Sequence, residues 1–252
     1  MRRPTVAVCG LGLVGGSLAF ALARRGYTVL GVDRPGPLRK ALASGAIARR
    51  ARLGDALREA DVVVLAAPPT ANLRLLQRIA RRARPELVVT DVTSVKRPIV
   101  RAARRLRLRG FVGGHPMAGR ERSGFDAGTP DLFRGRPWIL TGGGPWAVAA
   151  VRGLARATGA RPVSMRADEH DRVMARLSHL PQLVAWALLD AARRDPASRR
   201  RLGLAGPGFR DMTRLARSPR RLWRDILQAN RDEVAGALRD LRAALSERRL
   251  WR

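Results

Sequence analysis

Residues 5–33 of the chain read TVAVCGLGLVGGSLAFALARRGYTVLGVD, and this stretch decides the fold. A run of β-branched and apolar residues, 5–9, enters the glycine pattern GLGLVG of residues 10–15, and an apolar helical pattern follows it. A second apolar run then ends on Asp33. This order predicts a strand, a glycine turn, a helix and a second strand, an arrangement typical of a dinucleotide-binding unit.

Each position of the glycine pattern has a mechanical role in such a unit. Gly10 permits the tight turn, Gly12 lets a pyrophosphate approach the backbone, and Gly15 lets the helix pack close to the strand. The N–H groups at the start of the helix, at Leu13 and Val14, face the phosphates together with the positive end of the helix dipole. We therefore assign these five residues to cofactor binding.

The end of the second strand indicates which dinucleotide is bound. Asp33 lies 21 residues beyond Gly12, where a carboxylate accepts hydrogen bonds from both hydroxyls of an adenine ribose. A carboxylate at this position repels a 2′-phosphate, which favours NAD as the cofactor over NADP. Arg34 follows directly and softens that preference, so NADP stays an alternative. Pro68, in the loop after a later strand, is also assigned to the cofactor site.

After Asp33, short apolar runs alternate with helical patterns. Fully apolar strands separated by helices predict a parallel sheet that is covered by helices on both faces. Ligands then bind beyond the carboxyl ends of the strands. The loops expected at that edge are 67–70, 92–96 and 113–124.

The strand patterns end near residue 166. The later segments with helical patterns are 168–192, 207–216 and 219–247. The predicted fold is therefore α/β, with an N-terminal Rossmann-type parallel-sheet domain at residues 1–166 and an all-helical substrate and dimerisation domain at residues 167–252. The second domain is short and has long apolar helix faces, which predicts that it completes its core in a homodimer.

The net charge of +30 is unusual for a chain of 252 residues. Arginine accounts for 48 of the 50 basic residues, and these are dispersed along the chain. Such charge predicts non-specific adhesion to nucleic acid at low salt. Aromatic residues make up only 4% of the chain, too few for a base-stacking platform, so we expect no specific nucleic-acid partner. A nucleotide-sensing, nucleic-acid-binding protein is the alternative from another class, and the charge is its only support.

The single cysteine, Cys9, excludes an internal disulfide framework and fits a reducing cytoplasm. Apolar runs fall short of the ~18 residues that span a bilayer, and the N-terminus lacks the pattern of a signal peptide. The histidine and cysteine spacings include no HxxxH, HExxH or CxxC motif, so no metal site is predicted. We expect a cytoplasmic protein with neither a membrane partner nor a metal.

The three histidines differ in their surroundings. His115 lies in the glycine-flanked sequence GGHPMAG at the expected ligand edge, which suits a base that takes a proton during hydride transfer from an alcohol. His179 lies in an otherwise apolar helical pattern and is interpreted either as a core histidine or as a group at the domain interface. His170, beside acidic residues at a helix start, is expected to be solvated or to cap the helix.

Other polar residues lie where a substrate is expected. Ser94 and Lys96 follow a predicted parallel strand near the nicotinamide end of such a cleft, and Lys96 is assigned to substrate binding. Ser94 can donate to a substrate hydroxyl or orient His115, and it can also cap the following helix, a role that excludes neither of the others. Arg210 and Arg214 are four residues apart on one helix face. One of them is expected to pair with an acidic side chain and the other to clamp a substrate carboxylate.

Five motifs occur in the order found in one known family: GLGLVGGSLA, DVTSVK, GGHPMAGRERSG, DEHDRVMARLSHLP and GFRDMTRLARSPRRLWRDILQAN. From about residue 5 to residue 235, the chain resembles the prephenate and arogenate dehydrogenases of tyrosine biosynthesis. The resemblance implies an NAD-dependent oxidative decarboxylation of prephenate to 4-hydroxyphenylpyruvate, with the conversion of arogenate to tyrosine as the alternative. It also implies a helical C-terminal dimerisation domain.

The resemblance assigns roles to the candidate residues. His115 takes the proton of the C4 hydroxyl, and Ser94 holds that hydroxyl and the histidine. Arg214 binds a substrate carboxylate, and His179 lines the pocket from the second domain. These roles require His115 and Arg214 to converge beside the nicotinamide ring. Gln182 is assigned to the substrate site where many relatives have a histidine, and it leaves the choice between prephenate and arogenate open.

A β-hydroxyacid dehydrogenase or imine reductase is the nearest rival among enzymes, because such proteins also join a Rossmann domain to helices. The hydroxyacid enzymes use a catalytic lysine in the helical domain. Both lysines of this chain, Lys40 and Lys96, precede residue 100. Their positions favour the prephenate or arogenate dehydrogenase interpretation.

Overall fold

The computed structural model describes residues 3–120 and 122–246. The chain divides into two compact units, Met1–His170 and Asp171–Arg252. The division falls inside the helix Ala167–Met174, slightly later than the predicted boundary. Within the described ranges, no helix is long and apolar enough to cross a membrane.

An eight-stranded sheet forms the centre of the first unit. Its strands are β1 (Val6–Cys9), β2 (Val29–Val32), β3 (Arg49–Arg50), β4 (Val62–Leu65), β5 (Val88–Asp91), β6 (Phe111–Pro116), β7 (Pro137–Thr141) and β8 (Arg161–Ser164). They lie in the order β3-β2-β1-β4-β5-β6-β7-β8, and neighbours from β3 to β6 are parallel. The predicted α/β fold, with a mostly parallel N-terminal sheet, is confirmed.

The last two strands, β7 and β8, are exceptions to the predicted parallel sheet, because both run opposite to the other six. β7 runs antiparallel to β6, with His115 opposite Ile139, and β8 is parallel to β7. A parallel neighbour needs a crossover connection, which is usually a helix. The described residues of segment 117–136 form one short 3-10 helix, Phe125–Ala127, so the chain returns in the antiparallel direction. The short strand β3 was not predicted.

Helices cover both faces of the sheet. In β1, Val6 and Val8 belong to a buried cluster on one face, and Ala7 and Cys9 belong to a second buried cluster on the other face. This double burial explains why the strand is apolar at every position. The helices of this layer are α1 (Leu13–Ala23), α2 (Pro35–Ala43), α3 (Leu53–Glu59), α4 (Pro69–Ala80), α5 (Arg97–Arg105) and α6 (Pro145–Ala157).

The C-terminal part of the chain is helical, as predicted. Its buried cluster is small and consists of Ala175, Val234 and Ala237, with partly buried leucines packed against it. The helices are α7 (Ala167–Met174), α8 (Leu180–Arg194), α9 (Pro196–Arg200), α10 (Pro207–Thr213), α11 (Arg220–Ala229) and α12 (Arg231–Ser246), with 3-10 turns at Leu202–Leu204 and Arg214–Arg217.

A π-helical turn interrupts the helix predicted over residues 168–192. The turn spans Ala175–His179 and separates α7 from α8. Pro181 has no backbone N–H, so the regular α-helical hydrogen-bond pattern cannot pass through it unchanged. The sequence therefore predicted the helical segment correctly but not its local change of winding.

The helix predicted over residues 219–247 is two helices, α11 and α12, separated at Asn230. Asn230 is buried, and its Nδ2 donates to the backbone oxygen of Asp171 at 2.7 Å. This hydrogen bond connects the residue between α11 and α12 to an earlier part of the second unit. The predicted end of this segment, Glu247, lies outside the described residues.

Candidate active site

The glycine turn lies between β1 and α1. Gly10 has φ of 103°, and a Cβ added there would lie 2.6 Å from the backbone carbon of Ala66. A Cβ added to Gly15 would lie 1.9 Å from the backbone oxygen of Gly10. A Cβ added to Gly12 would meet no described atom within 4 Å. Packing within the protein therefore requires glycine at positions 10 and 15. Gly12 faces open space, as a backbone that binds phosphate requires.

Asp33 is tied to the glycine turn. Its Oδ2 accepts a hydrogen bond from the backbone N–H of Leu11 at 2.6 Å, and its Oδ1 accepts one from the N–H of Arg34 at 2.6 Å. A carboxylate has about four lone-pair sites, so both oxygens retain the capacity to accept further hydrogen bonds. The side chain of Arg34 is exposed to solvent.

The loop after β4 is held by one buried amide. Asn72 is fully buried; its Oδ1 accepts from the N–H of Ala67 at 3.1 Å and its Nδ2 donates to the oxygen of Leu65 at 3.2 Å. These bonds fix the backbone beside the glycine turn. Pro68, the residue at the N-cap of α4, is exposed at this edge.

A buried ion pair joins the ends of β5 and β6. Lys96 and Asp91 are both fully buried, and the ammonium donates to the carboxylate of Asp91, to Oγ1 of Thr93 and to the oxygen of Gly114. Asp91 also accepts the N–H of Gly114 at 3.0 Å. The assignment of Lys96 to substrate binding is therefore corrected: its charge is enclosed in the protein, where it holds the backbone that precedes His115.

His115 lies in β6, because pairing with β7 extends that strand to Pro116. The sequence had placed it in a loop. Its ring is 8% exposed, and Nδ1 lies 2.8 Å from Nε2 of His170. The two ring centroids are 5.1 Å apart and the planes are inclined by 68°.

The expectation that His170 is solvated or caps a helix was wrong. Its side chain is fully buried, and one of its ring nitrogens engages His115. The acidic neighbours suggested a solvated helix start, but Met174, one helical turn later, is also buried. That apolar residue four positions on was the signal in the sequence for a buried helix face.

Ser94 lies in the loop between β5 and α5 and is partly exposed. The helix begins at Arg97, and Lys96 occupies the N-cap position without a capping side-chain bond. The interpretation of Ser94 as the N-cap was therefore wrong. Contact with a substrate hydroxyl or with His115 stays a prediction for this residue.

In the second unit, His179 ends the π-helical turn and is buried. Its Nδ1 lies 3.2 Å from Nδ2 of Asn230, and its ring meets that of Trp223 edge-on at 6.1 Å between centroids. These contacts give the ring a polar and an aromatic neighbour within the second unit, and its place in the substrate pocket stays a prediction.

Gln182 and Arg214 both lie in the second unit. Gln182 is fully buried, and its Nε2 donates to the oxygen of Leu215 at 2.8 Å, next to Arg214. Arg214 is exposed and begins a 3-10 turn. Arg210 donates to the oxygen of Gly203 at 3.4 Å. The expected pairing of one of the two arginines with an acidic side chain stays a prediction.

Sequence reasoning missed three buried polar residues that hold this architecture: Asn72, Asp91 and Asn230. Asp91 opens the DVTSVK motif and Asn230 ends the GFRDMTRLARSPRRLWRDILQAN motif, but neither was assigned a role from the sequence, and Asn72 lies in none of the five motifs. The partners of Asn230 lie 59 and 51 residues earlier in the chain. In the part of the chain that the structure describes, no group of three or more His, Cys, Asp or Glu side chains could hold a metal ion.

Both parts of the chain match descriptions of one family. Residues 18–164 match "Prephenate dehydrogenase, nucleotide-binding domain" and residues 166–251 match "Prephenate dehydrogenase, dimerization domain". The prephenate dehydrogenase of Bacillus subtilis is 36% identical over 247 residues, which cover 92% of this chain. This chain spans 66% of the length of that relative.

Solved structures show the same likeness over nearly the whole chain. The prephenate dehydrogenase of A. aeolicus, in complex with hydroxyphenyl propionate and NAD⁺, is 30% identical with a TM-score of 0.89, over 97% of this chain and 89% of that one. Synechocystis arogenate dehydrogenase is 31% identical with a TM-score of 0.85, over 96% and 90% of the two chains. By these matches the chain belongs to the prephenate dehydrogenase family.

Proposed function

We propose that this chain is an NAD-dependent prephenate dehydrogenase, which oxidises C4 of prephenate and releases the ring carboxylate as CO₂ to give 4-hydroxyphenylpyruvate. The observation that carries the proposal is His115, a buried imidazole near the end of β6 with Nδ1 held 2.8 Å from His170. An imidazole fixed at one nitrogen is suited to act as a general base at the other. Membership of the family supports the substrate class.

The glycine turn fits a dinucleotide. The open side of Gly12 and the N–H groups of Leu13 and Val14 at the start of α1 suit a pyrophosphate. The carboxylate of Asp33 suits an adenine ribose and disfavours a 2′-phosphate, while the exposed Arg34 keeps NADP as an alternative. When bound there, NAD supplies the acceptor for the C4 hydride.

His115 accepts the proton of the C4 hydroxyl while the C4–H bond breaks and the hydride leaves. The ketone formed at C4 is conjugated with the two ring double bonds, and both of these adjoin the carbon that carries the ring carboxylate. It therefore accepts the electron pair of the C–CO₂ bond as CO₂ departs. His115 then returns its proton to the oxygen at C4, and a phenol results, so aromatisation drives the second step.

Four further residues are assigned to the substrate. We infer that Ser94 donates to the C4 hydroxyl and that Arg214 forms a bidentate contact with a substrate carboxylate. His179 and Gln182 complete the substrate site in this proposal. The net charge of +30 favours the approach of a substrate with two carboxylates.

The alternative functions are those of an arogenate dehydrogenase and a β-hydroxyacid dehydrogenase. Arogenate differs from prephenate by an amino group in place of the keto group, and likeness to Synechocystis arogenate dehydrogenase supports it as a substrate. A β-hydroxyacid dehydrogenase is disfavoured, because Lys40 forms an exposed ion pair with Asp126 and Lys96 is enclosed in the first unit.

We also infer a homodimer formed through residues 167–252. This part of the chain has a small buried cluster, and it leaves large apolar side chains exposed. Leu177, Leu204 and Met212 are 74%, 79% and 57% exposed. A second copy that covered them would supply the apolar burial that a short helical domain lacks.

The direct test supplies prephenate or arogenate, each with NAD or NADP, to the purified chain. We expect reduction of NAD with release of one CO₂ per turnover and the highest kcat/KM for prephenate with NAD. A higher value for arogenate would favour the alternative substrate. Reduction with a β-hydroxyacid and none with either cyclohexadienyl compound would overturn the proposal.

A further inference from the structure

The geometry points to His170 as the positioning residue that fixes the tautomer and ring orientation of His115. Nδ1 of His115 and Nε2 of His170 are 2.8 Å apart, a normal hydrogen-bond distance. The two rings are 8% and 0% exposed, so the bond is made away from bulk water. The catalytic consequence of this inference rests on the proposed function, whereas the pairing itself does not.

Two neutral imidazoles that hydrogen-bond through these nitrogens share one hydrogen, and its position decides what His115 does. A neutral imidazole carries a hydrogen on one nitrogen and a lone pair on the other. If Nδ1 of His115 donates to Nε2 of His170, then Nε2 of His115 carries the lone pair and accepts the hydroxyl proton. The same bond requires that the hydrogen of His170 is on Nδ1.

Both backbones that carry the rings are held in place. Gly114, next to His115, donates to Asp91 and accepts from Lys96, and β7 pairs with His115 through Ile139. His170 lies within α7, where its N–H donates to the oxygen of Arg166 at 2.8 Å. Two contacts therefore orient His115: β6 holds its backbone, and the His170 ring holds its side chain.

An imidazole partner differs from a carboxylate in its charge. The Asp partner of a serine-protease histidine is anionic and stabilises the imidazolium. An imidazole holds the tautomer without adding negative charge near a substrate that carries carboxylates. This suits a site that must bind an anion beside its base.

The first test compares His170→Leu with His170→Gln in the full chain. The leucine variant removes the acceptor, whereas the glutamine Oε1 can accept the Nδ1 hydrogen of His115. We expect kcat to fall about 10- to 100-fold in the leucine variant, by analogy with other residues that orient a reacting histidine, with less than about a twofold change in KM for substrate or NAD. The glutamine variant should recover most of kcat. Equal kcat in the leucine variant and the wild type would overturn the inference.

The second test reads the tautomer without substrate or cofactor. The chain has three histidines, so ¹⁵N NMR of histidine-labelled protein can be assigned with single variants. We expect the hydrogen on Nδ1 of His115 in the wild type and the glutamine variant, and its loss from Nδ1 in the leucine variant. An unchanged His115 tautomer in the leucine variant would overturn the inference.

Two controls separate the possible failures. Glu169→Gln alters an exposed neighbour of His170 and should leave both the NMR spectrum of His115 and kcat unchanged. If the wild-type chain turns over no cyclohexadienyl substrate, the proposed function fails, but the NMR result still decides whether His170 sets the tautomer. If His170→Leu does not fold, the glutamine variant provides the test. The wild-type tautomer of His115 would agree with the inference, and a hydrogen moved from Nδ1 to Nε2 of His115 would contradict it.

Discussion

The two lysines of the chain show how burial decides the role of an ammonium group. Lys96 is enclosed with Asp91, and both side chains are 0% exposed. Lys40 pairs with Asp126 at the surface, where the side chains are 56% and 70% exposed. Solvent screens the ion pair of Lys40 but not that of Lys96, so the two pairs differ in their effect on the free energy of unfolding.

We expect Lys96→Met to lower the free energy of unfolding by about 3–5 kcal/mol, because it leaves the Asp91 carboxylate buried without its cation. Lys40→Met is the matched control and should cost less than about 1 kcal/mol. Urea unfolding followed by circular dichroism measures both values. Equal losses for the two variants would contradict the role given to Lys96.

Burial raises the pKa of the Cys9 thiol to about 12 from 9.0, and the nearby Asp33 carboxylate adds to the rise. The folded pKa lies above the unfolded one, so the stability gained by keeping the proton is present below about pH 9 and lost as pH rises towards 12. We expect the thiol to react slowly with a disulfide reagent in the native protein and rapidly in urea. The wild type should also lose stability above about pH 9 relative to Cys9→Ala. Equally fast reaction in both states would contradict this.

Arg214 is the residue to which we assign the substrate carboxylate. Arg214→Ala should raise the KM for prephenate at least about tenfold, the loss expected for a charge-assisted hydrogen bond, while the KM for NAD changes little. Arg210→Ala is the matched control, since its guanidinium donates to the backbone of Gly203. Steady-state kinetics with each substrate varied separately gives both constants. A comparable rise in both would indicate damage to the fold instead.

At the scale of elements, the strand–turn–helix unit could be predicted because its determinants lie within residues 5–33. Gly10 and Gly15 are required by contacts inside or beside that unit, and the alternation of buried faces in β1 follows from its apolar sequence. The helical character of the C-terminal part was predictable for the same reason: apolar residues recur at helical spacing.

Features that depend on distant partners could not be predicted. The antiparallel direction of β7 depends on the absence of a crossover helix, and the burial of Lys96 depends on Gly114, 18 residues away. His170 meets a residue 55 positions earlier in the chain. Sequence reasoning therefore identified His115 as a candidate but not the groups that hold it.

The glycine turn gives a prediction that separates folding from binding. Gly12→Ala should change the free energy of unfolding by less than about 0.5 kcal/mol, because the added Cβ meets no described atom, yet weaken NAD binding about tenfold or more. Gly15→Ala should cost at least about 1–3 kcal/mol, because its Cβ would overlap the oxygen of Gly10. Thermal melts and calorimetric titration with NAD measure the two effects. A destabilised Gly12→Ala protein with wild-type affinity for NAD would contradict the account.

For the whole molecule, charge and domain composition support one function. A net charge of +30 favours an anionic substrate and an anionic cofactor, and it also predicts non-specific adhesion to nucleic acid at low salt. A nucleotide-binding domain is followed by a domain of the dimerization type. Both properties are those expected of an oxidoreductase that acts on a small dicarboxylate.

The most direct test of the account is kcat of His115→Asn with prephenate and NAD, measured beside the wild type as NADH formed. We assign to His115 the role of the base that takes the C4 hydroxyl proton, and we therefore expect kcat to fall by about 10²- to 10⁴-fold while calorimetric affinity for NAD is unchanged. Wild-type kcat in this variant would contradict the central claim that the imidazole at residue 115 carries the proton transfer.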